Sequence, residues 1–239
     1  GYHILCESLG RSPCIAPKAC NTSTPDMGNM EVLLEFGTPL QKERYLLPLF
    51  RGEIRSAFLM TEPVVASSDR TNLAAKLTKR IVNGRVEYTL SGTKWWSTGA
   101  MDPRCKVALV VAKMDYSQCP AESRSGTSKH GAHTIIAVAM PQPGVVVERA
   151  LTVMGYDDAP HGHAQVELRN VKLTAEDLIL SEGSGFRVSQ ARLGPGRIHH
   201  CMRAIGIGKK KLRVAVAPVT LLTFHILDSC PKFGVNADA

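Results

Sequence analysis

Residues 26–50 carry the spacing of a helix. Met30, Val32, Leu33, Leu34 and Phe36 form an apolar patch, and Gly37-Thr38-Pro39 stops it. Residues 41–50 then resume with Lys42 and Arg44 facing out and Tyr45, Leu46, Leu47, Leu49 and Phe50 facing in. Pro39 opens this second run without cost, because the first amides of a helix have no intrahelical acceptor. From Ser56 the pattern changes to short runs rich in Val, Ile and Thr, at residues 85–90, 106–113, 134–140, 145–149 and 164–168. Asn83-Gly84, Ser91-Gly92, Pro141-Gln142-Pro143-Gly144 and Arg169-Asn170 punctuate them as turns. Such spacing predicts an antiparallel sandwich or barrel, and the alternating helices of a doubly wound parallel sheet are absent. The polar stretch 115–131 predicts a long exposed hairpin loop. Helical spacing returns after Asp177, through Phe186, Val188, Ala191 and Leu193, with a second run beginning at Arg197. The order is helices, strands, helices: an α+β chain without repeats.

Composition narrows the class. With 239 residues, 44% of them hydrophobic and 21% charged, the chain can bury a core. The most apolar stretch, residues 212–227, falls short of the roughly 20 residues of a membrane span, is broken by Pro218 and carries His225. Seven cysteines (Cys6, Cys14, Cys20, Cys105, Cys119, Cys201, Cys230) form no C-x-x-C pair, which fits reduced thiols in an intracellular compartment better than a disulfide scaffold. Gly1 stands where Met would, with no secretory signal after it, and hints at a processed or truncated end. The net charge of +8 suits a polyanionic ligand. Lys209-Lys210-Lys211 with Arg213 is short, and reads as a solvated run in preference to a nucleic-acid or lipid contact.

Three constellations could carry chemistry. Phe58-Leu59-Met60-Thr61-Glu62-Pro63 runs into the hydroxyl-rich Ala66-Ser67-Ser68-Asp69, which offers amides and small donors to an anionic ligand or is simply a capped, solvated turn. Lys94-Trp95-Trp96-Ser97-Thr98-Gly99 holds both tryptophans beside hydroxyls, as a flat, hydrogen-bonding heterocycle requires. Neighbouring strand residues face opposite sides, so at most one indole enters a given core layer. Gly194-Pro195-Gly196-Arg197 either presents helix amides and a guanidinium to an anion or forms a tight interhelix turn. His161-Gly162-His163 and His199-His200 lack a ligand spacing for a metal.

Met60-Thr61-Glu62-Pro63 with Ala66-Ser67-Ser68-Asp69 resembles the first signature of the acyl-CoA dehydrogenase family. Gly92-Thr93-Lys94-Trp95-Trp96-Ser97-Thr98-Gly99 resembles its next flavin-contacting strand, and Gly183-Ser184-Gly185-Phe186 followed by residues 190–203 completes the match. The double tryptophan and the LGPGRIHHCMR stretch are most similar to the branch of members 10 and 11. The resemblance implies a partial N-terminal helical domain at 1–55, a middle β domain at 56–178 and the start of a C-terminal helical domain at 179–239, so that the chain reads as cut short at both ends. It implies FAD as cofactor, fatty acyl-CoA as substrate, α,β-dehydrogenation in β-oxidation, electron transfer to an electron-transfer flavoprotein, and a homo-oligomer in mitochondria, with peroxisomes as the alternative. By position, Phe58, Leu59, Met60, Thr61, Ser67, Ser68, Trp96, Ser97 and Thr98 would contact FAD. Ser68, Gly194, Pro195, Gly196 and Arg197 would approach acyl-CoA. The segment between Pro63 and Asp69 is one residue longer than in the common members. After Gly208 the resemblance ends, and no residue matches the family's glutamate base. A catalytically inactive isoform that keeps part of the FAD and acyl-CoA surface is the alternative reading.

Overall fold

The computed structural model describes residues 2–66, 69–120 and 130–229. They form two compact units, residues 20–196 and residues 2–19 with 197–229.

The larger unit opens with α3 (Asp26–Phe36), which follows α1 (Tyr2–Gly10) and α2 (Ala16–Ala19) in the chain. Gly37 ends α3, its N–H bonded to Leu33 O. Thr38 then caps α4 (Pro39–Gln41) reciprocally: its hydroxyl accepts from Gln41 N at 3.2 Å, and Gln41 Oε1 accepts from Thr38 N at 3.1 Å. A π turn, Lys42–Leu46, leads into α5 (Leu47–Phe50). Gln41 Nε2 donates to the carbonyls of Glu176 and Leu178 at 2.7 and 3.0 Å, tying this helical stretch to the segment after the last strand.

One seven-stranded sheet follows: β1 (Arg55–Leu59), β2 (Lys76–Val82), β3 (Arg85–Thr98), β4 (Cys105–Asp115), β5 (His133–Ala139), β6 (Val145–Leu151) and β7 (His163–Thr174). Asn83 and Gly84, with φ of +51° and +75°, make the left-handed turn that joins β2 to β3. The order is β1-β4-β2-β3-β7-β6, with β5 also on β4.

The α+β class holds, but the sheet is mixed and not closed. β1 and the start of β2 lie one after the other along β4, both parallel to it. The turns at Asn83-Gly84 and Arg169-Asn170 report local reversals. A parallel pairing joins segments far apart in sequence and leaves no local mark.

β4 explains its own apolar run. Ala108, Val110, Ala112 and Met114 pack in the core between the sheet's faces, with Leu90, Ile136, Val138, Val166 and Val171. Val107, Leu109 and Val111 pack on the other side against Leu33, Phe36, Tyr45, Leu49 and Val188. A strand covered on both faces loses its alternation. In the segment expected as an exposed hairpin, Cys119 is buried, with Sγ 3.0 Å from Lys79 O, while 121–129 lie outside the described residues.

α6 (Gly185–Ser229) begins where a Cβ on Gly185 would meet the His133 carbonyl at 2.7 Å, so helix and sheet touch through backbone. It runs without a break through Gly194-Pro195-Gly196. The expected helix start at Arg197 is therefore absent, and so is the tight turn. Pro195 removes one helical hydrogen bond, and the flanking glycines have open space around them, so the helix absorbs it. In the smaller unit, Gly10 and Gly206 let α1 approach the later part of α6 backbone to backbone, and Lys209 Nζ bonds Glu7 Oε1 at 2.9 Å. Among the described residues no helix is long and apolar enough to cross a membrane.

Candidate functional site

The segment after β1 is fixed to β3 from inside. Lys94 points from β3 into the core, fully buried, and donates to Glu62 Oε1 at 2.6 Å, Val111 O at 2.6 Å and Met60 O at 3.0 Å. Burial pulls the Lys94 ammonium down to about 8 even though Glu62 supports its charge. Glu62 in turn accepts the amides of Ala74 and Ala75 at 2.6 and 3.0 Å. One ion pair thus gathers residues 60–62, β3, β4 and the entry to β2. Thr61 O completes the clamp by accepting Trp95 N at 3.0 Å.

That clamp sits beside a β-bulge. Lys94 faces Val166 and Ser97 faces Ala164, three steps along β3 against two along β7. The additional residue leaves Trp96 with φ of +50°, in the left-handed region a bulky side chain rarely occupies. Trp95 is half-buried, whereas Trp96 is 40% exposed, the two ring centroids 6.1 Å apart. The separation of the two indoles expected from strand alternation thus arises through a bulge.

Beyond the bulge, Thr98 Oγ1 lies 2.9 Å from His163 Nδ1, and the His163 ring is 6.0 Å from that of Trp96. Thr98 and His163 are direct cross-strand partners. The turn before His163 is held by His161 Nδ1 on Asp102 Oδ2 at 3.1 Å. Burial raises the Asp102 carboxyl, but hydrogen bonds from Arg104 and His161 outweigh it and bring the group down to about 2. The two histidines of His161-Gly162-His163 therefore serve different partners.

The other expected residues fall as follows. Phe58 and Met60 are half-buried, and Leu59 is buried in the core, which leaves its side chain no part in a surface site. Ser97 is fully buried and its hydroxyl has no hydrogen-bond partner among the described residues. Ser67 and Ser68 lie outside the described residues. Gly194, Pro195 and Gly196 are on α6 in the larger unit, and Pro195 lines a pocket of about 240 Å³ with Glu31, Phe36, Ala191 and Arg192. Arg197 belongs to the smaller unit and is exposed. The Thr61 segment, Trp96 and Thr98 are thus brought together, whereas Gly194–Gly196 sit at the α3–α6 pocket.

Sequence reasoning assigned no role to Lys94, Glu62, Arg192 or His163. Arg192 lies 3.9 Å over the Phe58 ring and donates to Asn29 Oδ1 at 3.1 Å, and burial lowers it to about 10. A lysine set directly before the paired tryptophans of β3 was the available signal for the first two. For His163 there was none, since its partner is 65 positions away.

Comparison with known proteins agrees with this architecture. The acyl-CoA dehydrogenase middle domain matches residues 57–171. A protein of Arabidopsis thaliana named a probable acyl-CoA dehydrogenase is 46% identical over 98% of this chain and 30% of its own length. Acyl-CoA dehydrogenase family member 11 of Mus musculus is 45% identical over 89% of this chain and 26% of its own length. A solved chain from Mycobacterium abscessus, named for the same family, is 46% identical with a TM-score of 0.78, covering 89% of this chain and 49% of that one. This chain therefore spans half or less of each of these relatives. The shared middle domain, and identity that continues on both sides of it, place the chain in the acyl-CoA dehydrogenase family.

Proposed function

We propose that the chain carries the flavin and acyl-CoA surface of an FAD-dependent acyl-CoA dehydrogenase acting on fatty acyl thioesters in β-oxidation. The observation that carries this reading is Trp96, turned outward by the bulge beside the Thr98 hydroxyl while the Lys94–Glu62 pair anchors Thr61 alongside. The residues fit the cofactor. An isoalloxazine is flat and has hydrogen-bonding atoms on its rim, and these residues offer one exposed indole, one hydroxyl and nearby backbone. The buried Ser97 hydroxyl, without a hydrogen-bond partner among the described residues, supplies a donor in the same turn.

When bound, the flavin supplies the two-electron acceptor. Trp96 would cover its ring and Thr98 would bond near N5. Thr61, with Ser67 and Ser68, would hold its pyrimidine and phosphate side. Donors fixed in advance stabilise the negative charge of the reduced ring without reorganising. Residues 194–197 would meet the acyl-CoA, whose phosphates suit the positive charge of the chain. In the same reading residues 1–55, 56–178 and 179–239 are three domain portions, electrons pass to an electron-transfer flavoprotein, the protein is a mitochondrial homo-oligomer, and no nucleic acid is bound.

A second reading, a chain that binds these ligands without turning them over, is favoured by Lys209-Lys210-Lys211, where the stretch after Gly208 departs from the family's pattern. Anaerobic addition of acyl-CoA to the FAD-loaded chain separates the two. Bleaching of the flavin band near ~450 nm supports dehydrogenation. Bound flavin that does not bleach supports the second reading.

A further inference from the structure

His163 lies outside every role assigned so far, yet it is held more firmly than a surface histidine needs to be. Three contacts fix the turn that delivers it: Gly162 N donates to Asp158 O at 3.0 Å, Gly99 N donates to Gly162 O at 3.1 Å, and His161 bonds the buried Asp102. Gly162 itself has φ of +58°, and a Cβ there would meet Met101 at 2.6 Å. The imidazole is consequently aimed, with Nδ1 on the Thr98 hydroxyl at 2.9 Å and one face inclined at 60° to Trp96.

The opposite nitrogen decides what Nδ1 does. His163 Nε2 faces the Asp158 carboxylate at 3.9 Å. An anionic oxygen on that side favours the proton on Nε2 and leaves Nδ1 as an acceptor. Thr98 then donates its single proton to Nδ1, and its hydroxyl presents lone pairs to any ligand at Trp96. Such a hydroxyl complements a ring nitrogen that carries hydrogen and is poorly matched to one that does not.

We propose that His163 is a positioning residue: by holding the Thr98 proton it fixes the direction of the hydrogen bond offered at the flavin N5, and so favours the reduced cofactor. This rests on the flavin reading above. The selection is built into the β3–β7 pairing, because Thr98 and His163 are opposite each other in the ladder. It requires no motion and no change in the contact made by Trp96.

The test is the midpoint potential of FAD bound to the chain, by equilibration with a reference dye, in wild type, His163→Leu, His163→Gln and His163→Asn. Leucine removes the acceptor, and glutamine carries its amide beyond the Nδ1 position. Both are expected to shift the oxidised-to-reduced equilibrium about tenfold toward the oxidised form, roughly 30 mV lower for a two-electron couple. Asparagine, whose amide lies where Nδ1 does, is expected to restore the wild-type value. An unchanged or raised potential in the leucine and glutamine variants overturns the proposal, as does an asparagine variant lowered equally. Wild type that binds no FAD overturns both this proposal and the flavin reading, whereas bound FAD with unaltered potentials overturns this one alone.

Discussion

Lys94 is the residue on which the site's geometry depends most. Its ammonium and the Glu62 carboxylate are removed from water, and the ammonium also donates to the carbonyls of Met60 and Val111. Lys94→Met would leave the Glu62 carboxylate charged and buried without its ammonium, held by the amides of Ala74 and Ala75. Breaking a buried pair in this way costs about 3–5 kcal/mol, far above a surface ion pair. Lys94→Met with Glu62→Gln should regain a measurable part, since the double variant leaves no uncompensated charge. Urea denaturation of Lys94→Met, Glu62→Gln and the double variant checks this, and an additive double variant would contradict the coupling. Both residues lie within sequence motifs that suggest no function for the pair. Its role becomes visible only when β1, β3 and β4 are seen side by side.

At the scale of elements, α6 and its glycines separate helix propensity from packing. A methyl added at Gly208 would meet nothing within 4 Å, so Gly208→Ala should stabilise the helix by about 0.5–1 kcal/mol through propensity alone. Gly206, where a Cβ would run into the Glu7 carbonyl, should respond in the opposite sense. Thermal melts of both single variants read the contrast, and equal responses would contradict it. These elements also show what the sequence made legible. The stop at Gly37-Thr38-Pro39, the Asn83-Gly84 turn and the main strand runs were readable because each is a local signal. The short strand β1 was not, because its place along β4 is set by partners about fifty residues away. Pro195 misled because a helix break is its ordinary consequence, whereas here flanking glycines leave it room.

For the whole molecule, a mixed sheet buried on both faces of β4 makes a stiff platform, and the bulge on β3 is the place where that platform turns a large aromatic outward. The candidate site was legible as motif and resemblance: Thr61, Trp96 and Thr98 were named from sequence, and the clamp and bulge bring them to one strand end. What could not be read was the support beneath them, because buried charge pairs and cross-strand contacts have no fixed spacing. The central claim is that the Trp96 face holds a flavin. The most direct measurement is a titration of FAD into the purified chain and into Trp96→Ala, followed by visible circular dichroism of the flavin band. The account predicts an induced signal for wild type and at least about fivefold weaker binding for the variant, in line with the roughly 1–3 kcal/mol of a ring stacked on an aromatic side chain. No signal with wild type, or equal binding by the two proteins, would contradict it.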